Sequence, residues 1–163
     1  MPLSNFTQYE ADALVAAAKV AGKVMSNTMK GDNRAATKEI TIAVRRKDSP
    51  SIDLVLVLNG RIKVKKLPGV ASIHKPGVAL MWHGKRIRGV DWKIRHEVTQ
   101  NGIVTGFIKG WHEHIWTDSE DDKFIIPVSP KMQNEDFRAV LEWSVKKWNI
   151  EGIKEQPDLE GLW

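Results

Sequence analysis

The stretch Glu39-Ile40-Thr41-Ile42-Ala43-Val44-Arg45 sets the reading of the fold. Its apolar residues alternate with polar ones at a period of two, the pattern of a half-buried strand. Downstream, Asp48-Ser49-Pro50-Ser51 supplies turn chemistry, and Ile52 to Leu58 is rich in Val and Leu. Asn59-Gly60 is the strongest short hairpin signal in the chain, and Arg61-Ile62-Lys63-Val64-Lys65-Lys66 follows as a third alternating strand. Pro68-Gly69 and Lys75-Pro76-Gly77 bracket a loop carrying His74. Val78 to Trp82 and Arg86 to Ile94 read as two further strands about the turn His83-Gly84-Lys85. Glu97 to Gly110 is less regular. His112 to Thr117 and Lys123 to Val128 form a last hairpin across Asp118 to Asp122.

Helical signals lie at the two ends. Thr7-Gln8-Tyr9-Glu10 fits a capping box, and Phe6 is placed to staple against Ala11. Leu14, Ala18, Ala21 and Met25 continue at helical spacing, so we expect a helix that ends before Gly31. A second helix is expected from an Asn134 N-cap, with Glu135 and Asp136 at its positive end and Phe137, Val140, Leu141, Ser144 and Trp148 on one face. Together these give an α+β class: an antiparallel sheet of six or seven strands flanked by an N-terminal and a C-terminal helix. The expected organisation is one domain over 1-150, with 151-163 as a tail that is flexible or docked through Trp163.

The chain has 163 residues, enough for a single hydrophobic core, and no cysteine. Disulfides, thiolate catalysis and cysteine zinc sites are excluded. No run of roughly 18 apolar residues suggests a membrane span, and no export signal precedes the first helix, so we expect a cytoplasmic protein without a membrane partner. The net charge of +5 is unevenly spread. From Lys30 to His96 there are 16 Lys/Arg against 5 Asp/Glu; from Trp111 to Trp163 there are 6 against 12. The basic part suits a polyanion, or is simply a set of solvated strand faces.

Chemistry concentrates in Trp111-His112-Glu113-His114-Ile115-Trp116. A spacing of two on a strand puts His112 and His114 on one face, with Trp116 continuing it. Such a pair suits metal ligation, or acid and base catalysis on either side of a phosphate. Two partly buried imidazoles with satisfied nitrogens are the plainer alternative. His96 converges on the pair if its strand is adjacent. Asp91, inside an otherwise apolar and basic strand, needs a partner, either a histidine that it orients or a cation such as Arg88. Lys123, Arg86, Arg88, Lys93 and Lys109 are the nearby bases.

Most of the chain resembles a group of small, poorly characterised bacterial proteins of mobile elements. Phe6-Thr7-Gln8-Tyr9-Glu10-Ala11-Asp12, Gly110-Trp111-His112-Glu113-His114-Ile115-Trp116 and Asp122-Lys123-Phe124-Ile125-Ile126-Pro127 carry the likeness, with Asp91 and His96 between them. The Asp, His, His-x-His order is more remotely similar to TumE-like toxins of toxin–antitoxin pairs. That resemblance implies a small ribonuclease or another RNA-directed activity. On it, His112 and His114 are base and acid, His96 a third contributor and Asp91 the orienter. Lys123, Arg88, Arg86, Lys109 and Trp116 are then the substrate-binding residues. Two departures stand out: Gly89 replaces an arginine two residues before Asp91, and the stretch after His96 lacks the group's Asn-Pro-Asp-Gly turn. The expected chemistry uses no metal or cofactor, with a divalent ion at His112 and His114 as the alternative. RNA or another nucleic acid, or a cognate protein, is the expected partner. The competing function is a non-catalytic binding module, antitoxin-like or a phage inhibitor.

Overall fold

A computed structural model describes residues 6–30, 37–61, 77–119, 121–132, 137–154 and 156. Strands predominate. Helix α1 spans Gln8–Ala16, and strands β1 to β7 span Lys19–Lys30, Thr37–Arg46, Leu54–Arg61, Gly77–Trp82, Lys85–Gln100, Ile103–Thr117 and Asp121–Pro127. Helix α2 (Phe137–Lys147) and the short β8 (Ile150–Glu151) follow. Among the described residues, eight strands form one sheet in the order β7-β6-β5-β4-β3-β2-β1-β8. Strands β1 to β7 are a meander of antiparallel neighbours, and β8 closes the far edge parallel to β1.

The expected α+β class, with six or seven antiparallel strands between two helices, is therefore corrected. The chain is mostly sheet, and the sheet is mixed. The largest single difference is at the N-terminus, where Lys19–Lys30 is a strand and not the second half of a helix. The capping box of Thr7 and Glu10 is present, but α1 stops at Ala16. Lys19 explains the stop: its buried Nζ donates to the carbonyls of Leu14, Val15 and Ala17, satisfying acceptors that another helical turn would otherwise use. Val20, Ala21 and Val24 then pair with β2.

Two other expectations change. Asn59 and Gly60 are not a turn; they continue β3, opposite Glu39 and Lys38 of β2. The irregular stretch after His96 is a paired ribbon, because β5 and β6 run on for 16 and 15 residues. The strand expected over 62–66, the loop with His74, the Asn134 cap and the tail beyond 156 lie outside the described residues. Within 151–156, Ile153 is buried and Gln156 donates to the Gly22 carbonyl.

The core lies on one face of the sheet. Ile40, Ile42 and Val44, Leu54, Leu56 and Leu58, Val78 and Leu80, and Val90 form one buried cluster with Ala11 and Val15 of α1 and Phe137, Val140, Leu141 and Val145 of α2. Glu113 belongs to this face. Its buried carboxylate accepts from Lys147 Nζ at 2.5 Å and from Trp148 Nε1 at 3.0 Å, tying α2 to β6. Strand alternation therefore turns His112 and His114 to the opposite face. No helix among the described residues is long and apolar enough to cross a membrane.

Candidate metal centre

Five side chains meet on that opposite face. Asp91 and His112 are register partners across β5 and β6, and His114 lies opposite Gly89. Two register shifts bring in residues that simple alternation sends elsewhere. Between Lys93 and His96, β5 carries one more residue than β6. The extra residue reverses the alternation, so His96 returns to the face of Asp91 and places Nδ1 2.7 Å from His112 Nε2. The second shift falls between Leu80 and Met81, whose partners are Arg88 and Arg86. Ile87 and Arg88 turn toward the helices, where Ile87 joins the core and Arg88 pairs with Asp12 of α1. Arg86 is left on the histidine face.

Gly89 makes room for it. A Cβ at this position would stand 2.8 Å from Arg86 Cδ. Arg86 crosses the gap to give Nη1 to Asp91 Oδ2 at 3.1 Å and Nε to Asp122 Oδ2 at 2.8 Å. Asp91 thus finds its cation five residues back, in Arg86. Arg88 is absent from the site.

Hydrogen bonding assigns the imidazole tautomers. His112 Nδ1 is 3.0 Å from the Gly110 carbonyl, and His114 Nδ1 is 2.8 Å from the Asp122 carbonyl. A carbonyl only accepts, so each Nδ1 carries the hydrogen. Arg86 Nη2 at 3.2 Å from the same His114 Nδ1 is then a close approach of two donors. Both Nε2 atoms point inward. His112 Nε2 accepts from His96 Nδ1, whereas His114 Nε2 is buried without a hydrogen-bond partner. Asp91 Oδ2 lies 3.3 Å from it, off the hydrogen-bonding direction.

Burial favours the neutral form of two of the imidazoles. Burial pushes the His112 imidazole down to about 4, against the Gly110 carbonyl, which pulls it upward. Burial also lowers His96, with Lys93 adding to the effect. Burial pushes the Asp91 carboxyl up, but His114 and the Arg86 guanidinium outweigh it and hold it below its usual range. One ligand atom from each of His96, His112 and His114 lies within 4.8 Å of the others, close enough to hold a metal ion. Ligand nitrogens on a tetrahedral zinc-class ion stand about 3.4 Å apart, so the 2.7 Å His96–His112 spacing is the metal-free hydrogen bond in that gap.

A cleft of about 740 Å³ opens beside the cluster, lined by Arg86, His96, His114, Asp122 and Lys123 and by the β5 residues Lys93, Arg95, Glu97 and Thr99. Of the residues expected to bind substrate, Lys123 and Arg86 line this cleft. Lys109 is exposed and lies outside the lining. Trp116 is also elsewhere: the shift between Ile115 and Thr117 turns it into the core, where it packs on Phe6 at 5.1 Å. The Gly110 and Asp122 carbonyls escaped sequence reading, since nothing local marks a backbone acceptor as an imidazole anchor. Gly110, at φ +86°, and the register shift it faces are visible only in three dimensions. Compared with known proteins, the chain matches no family model, no curated relative and no solved structure.

Proposed function

We propose that this protein is a small RNA-cleaving enzyme built on a divalent metal ion held by His96, His112 and His114. One observation carries the reading. Two imidazoles have their Nδ1 hydrogens tied to main-chain carbonyls, and His114 Nε2 is buried without a hydrogen-bond partner, 3.3 Å from an Asp91 carboxylate oxygen. Metal-ligating histidines are commonly oriented through their other nitrogen in this way. A cation or a proton between that nitrogen and Asp91 would satisfy both, and three imidazoles at one point suit a zinc-class cation.

The metal-free scheme expected from sequence fits less well. His112 is 0% exposed with its Nε2 taken up by His96, which leaves only His114 of the pair at the cleft wall, so the two do not flank a phosphate. An ion at this centre supplies Lewis acidity toward a phosphoryl oxygen. The chain's own residues do the rest. Arg86 holds Asp91 and Asp122 in place, and Asp122 in turn anchors His114. Lys123 and Lys93 offer positive charge at the cleft. The basic lining and the resemblance in the His-x-His block support RNA as the substrate class.

The test uses purified protein, its bound metal counted by mass spectrometry, and a mixed RNA pool. We expect close to one divalent ion per chain, RNA cleavage that stops with EDTA and returns with added metal, and loss of both ion and cleavage in His112→Ala. Cleavage that survives EDTA with no bound ion would restore the metal-free histidine scheme. RNA binding without turnover in the metal-loaded protein would make the chain a binding module instead.

A further inference from the structure

Beyond Lys93, strands β5 and β6 pair only with each other among the described residues, since β4 ends its pairing at Asp91 and β7 at His112. The result is a two-stranded ribbon that leaves the sheet beside the histidine cluster. Its side chains are unusual for a solvent-exposed ribbon. Phe107 is 47% exposed, and the Arg95 guanidinium lies 3.5 Å over its ring centre. Ile103 and Val104 are exposed near the tip. Lys93 and Arg95 line the same cleft as Lys123, across from one another on ribbon and sheet. Lys93 and Lys123 make no ion pair among the described residues, whereas Arg86 is taken up by Asp91 and Asp122.

We infer that this ribbon is the strand-binding arm of the site: Lys93, Arg95 and Lys123 take phosphates of a single-stranded nucleic acid, and the Arg95–Phe107 stack carries one of its bases. The inference rests on the ribonuclease reading for its choice of nucleic acid, and it names the part of the molecule that does the binding. Three points favour a single strand. Unpaired cations along a groove track a phosphate backbone, and a guanidinium backed by an aromatic ring offers a flat face for any base. A duplex buries its base faces, so the stack has nothing to receive from it. A protein partner seated on the apolar tip would have to bring carboxylates to the cleft lysines as well.

The measurement is fluorescence anisotropy with a labelled 2′-fluoro oligouridylate of about ten nucleotides, a length within reach of a single small domain. The missing 2′-hydroxyl removes the internal nucleophile while keeping charge and bases. Arg95→Ala and Phe107→Ala alter exposed positions, so both variants keep the fold, checked by circular dichroism, and keep the metal content of wild type. Phe107→Ala weakens binding roughly tenfold, the effect of losing one stacked base. Arg95→Ala weakens it at least as much and flattens the dependence of log affinity on log salt by about 0.7, one phosphate contact on a single strand. A duplex of the same length competes poorly. Unchanged affinity in both variants, or equal affinity for duplex, overturns the inference. So does a wild type that binds no oligonucleotide, which would hand the ribbon to a protein partner. Loss of the ion in His112→Ala bears on the metal reading alone, because anisotropy reports binding whether or not RNA is cut.

Discussion

Arg86 reaches Asp91 only because Gly89 has no side chain: Nη1 and Oδ2 are 3.1 Å apart, and a Cβ on Gly89 would meet Arg86 Cδ at 2.8 Å. Gly89 thus leaves room for Arg86, set on this face by the bulge, to keep the carboxylate paired.

Gly89→Ala tests that arrangement. The added methyl would stand 2.8 Å from Arg86 Cδ, next to a guanidinium held by Asp91 and Asp122. We expect the Arg86 contacts with Asp91 and Asp122 to break, and the metal affinity to fall roughly 10- to 100-fold, as for other losses of groups that orient ligands. Overpacking costs about 1 to 3 kcal/mol of stability. Isothermal titration with zinc alongside urea unfolding separates the two effects; unaltered zinc affinity would remove Arg86 from the positioning role.

Gly110→Ala acts through the backbone. Gly110 has φ +86°, and a Cβ there would meet only Trp92 Nε1, at 3.8 Å, an ordinary contact. The cost is therefore conformational, about 1 to 2 kcal/mol. As the peptide relaxes, the carbonyl that holds His112 Nδ1 turns away. Zinc affinity should drop more than stability does, and nuclear magnetic resonance of the ring nitrogens should show a mixed His112 tautomer in the metal-free variant.

Glu113→Ala separates structure from chemistry. The carboxylate is 1% exposed and serves Lys147 and Trp148 on the helix side of β6. Removing it strands a buried indole N–H, while the Lys147 ammonium, on a side chain 44% exposed, returns to water, a loss of roughly 2 to 3 kcal/mol. Glu113→Gln keeps an acceptor for Trp148 and should lose only about 1 kcal/mol. Urea midpoints rank the three proteins, and the glutamine variant should bind zinc like wild type because the histidines face the other way.

Acid should destabilise the metal-free protein through the histidines. His112 has its pKa lowered to about 4 in the fold, and it returns to an ordinary value near 6.5 on unfolding. The unfolded chain therefore binds the proton first as pH falls. Stability is level above about 6.5 and declines toward pH 4, by roughly 3 kcal/mol from His112 alone. His96, also lowered, adds in the same direction. Asp91 is depressed as well, so its contribution persists above the ordinary aspartate range and is lost only at lower pH. Unfolding free energies of EDTA-treated protein against pH should show this slope, and a flat profile between 4 and 6.5 would contradict the burial of a neutral His112.

Much of the β content was legible from residues alone. Alternation in Ile40 to Val44 and in Leu54 to Leu58 records one buried face, because a strand's side chains switch sides at every step. The capping box at Thr7 was legible for a similar reason: its partners are three residues apart. The helix reading of Ala18 to Met25 failed because those small and aliphatic residues satisfy a helical period as well as a strand. The choice fell to Lys19, which caps α1 through carbonyls two to five residues back, and to pairing with β2, which is non-local to that window. Asn59-Gly60 failed likewise, since its hairpin propensity was overridden by a ladder to Lys38 and Glu39.

By itself, the sequence determined that His112 and His114 share a face, that Asp91 requires a partner, and that one sheet face is apolar, since each follows from local period or from the cost of burying charge. Tertiary structure decided which residues join them. Two single-residue register shifts in β5 carry His96 and Arg86 to the histidine face and send Arg88 to Asp12. A strand's alternation is read from the chain, but the place where it reverses is set by the neighbouring strands' hydrogen bonds and leaves no mark in the residues themselves.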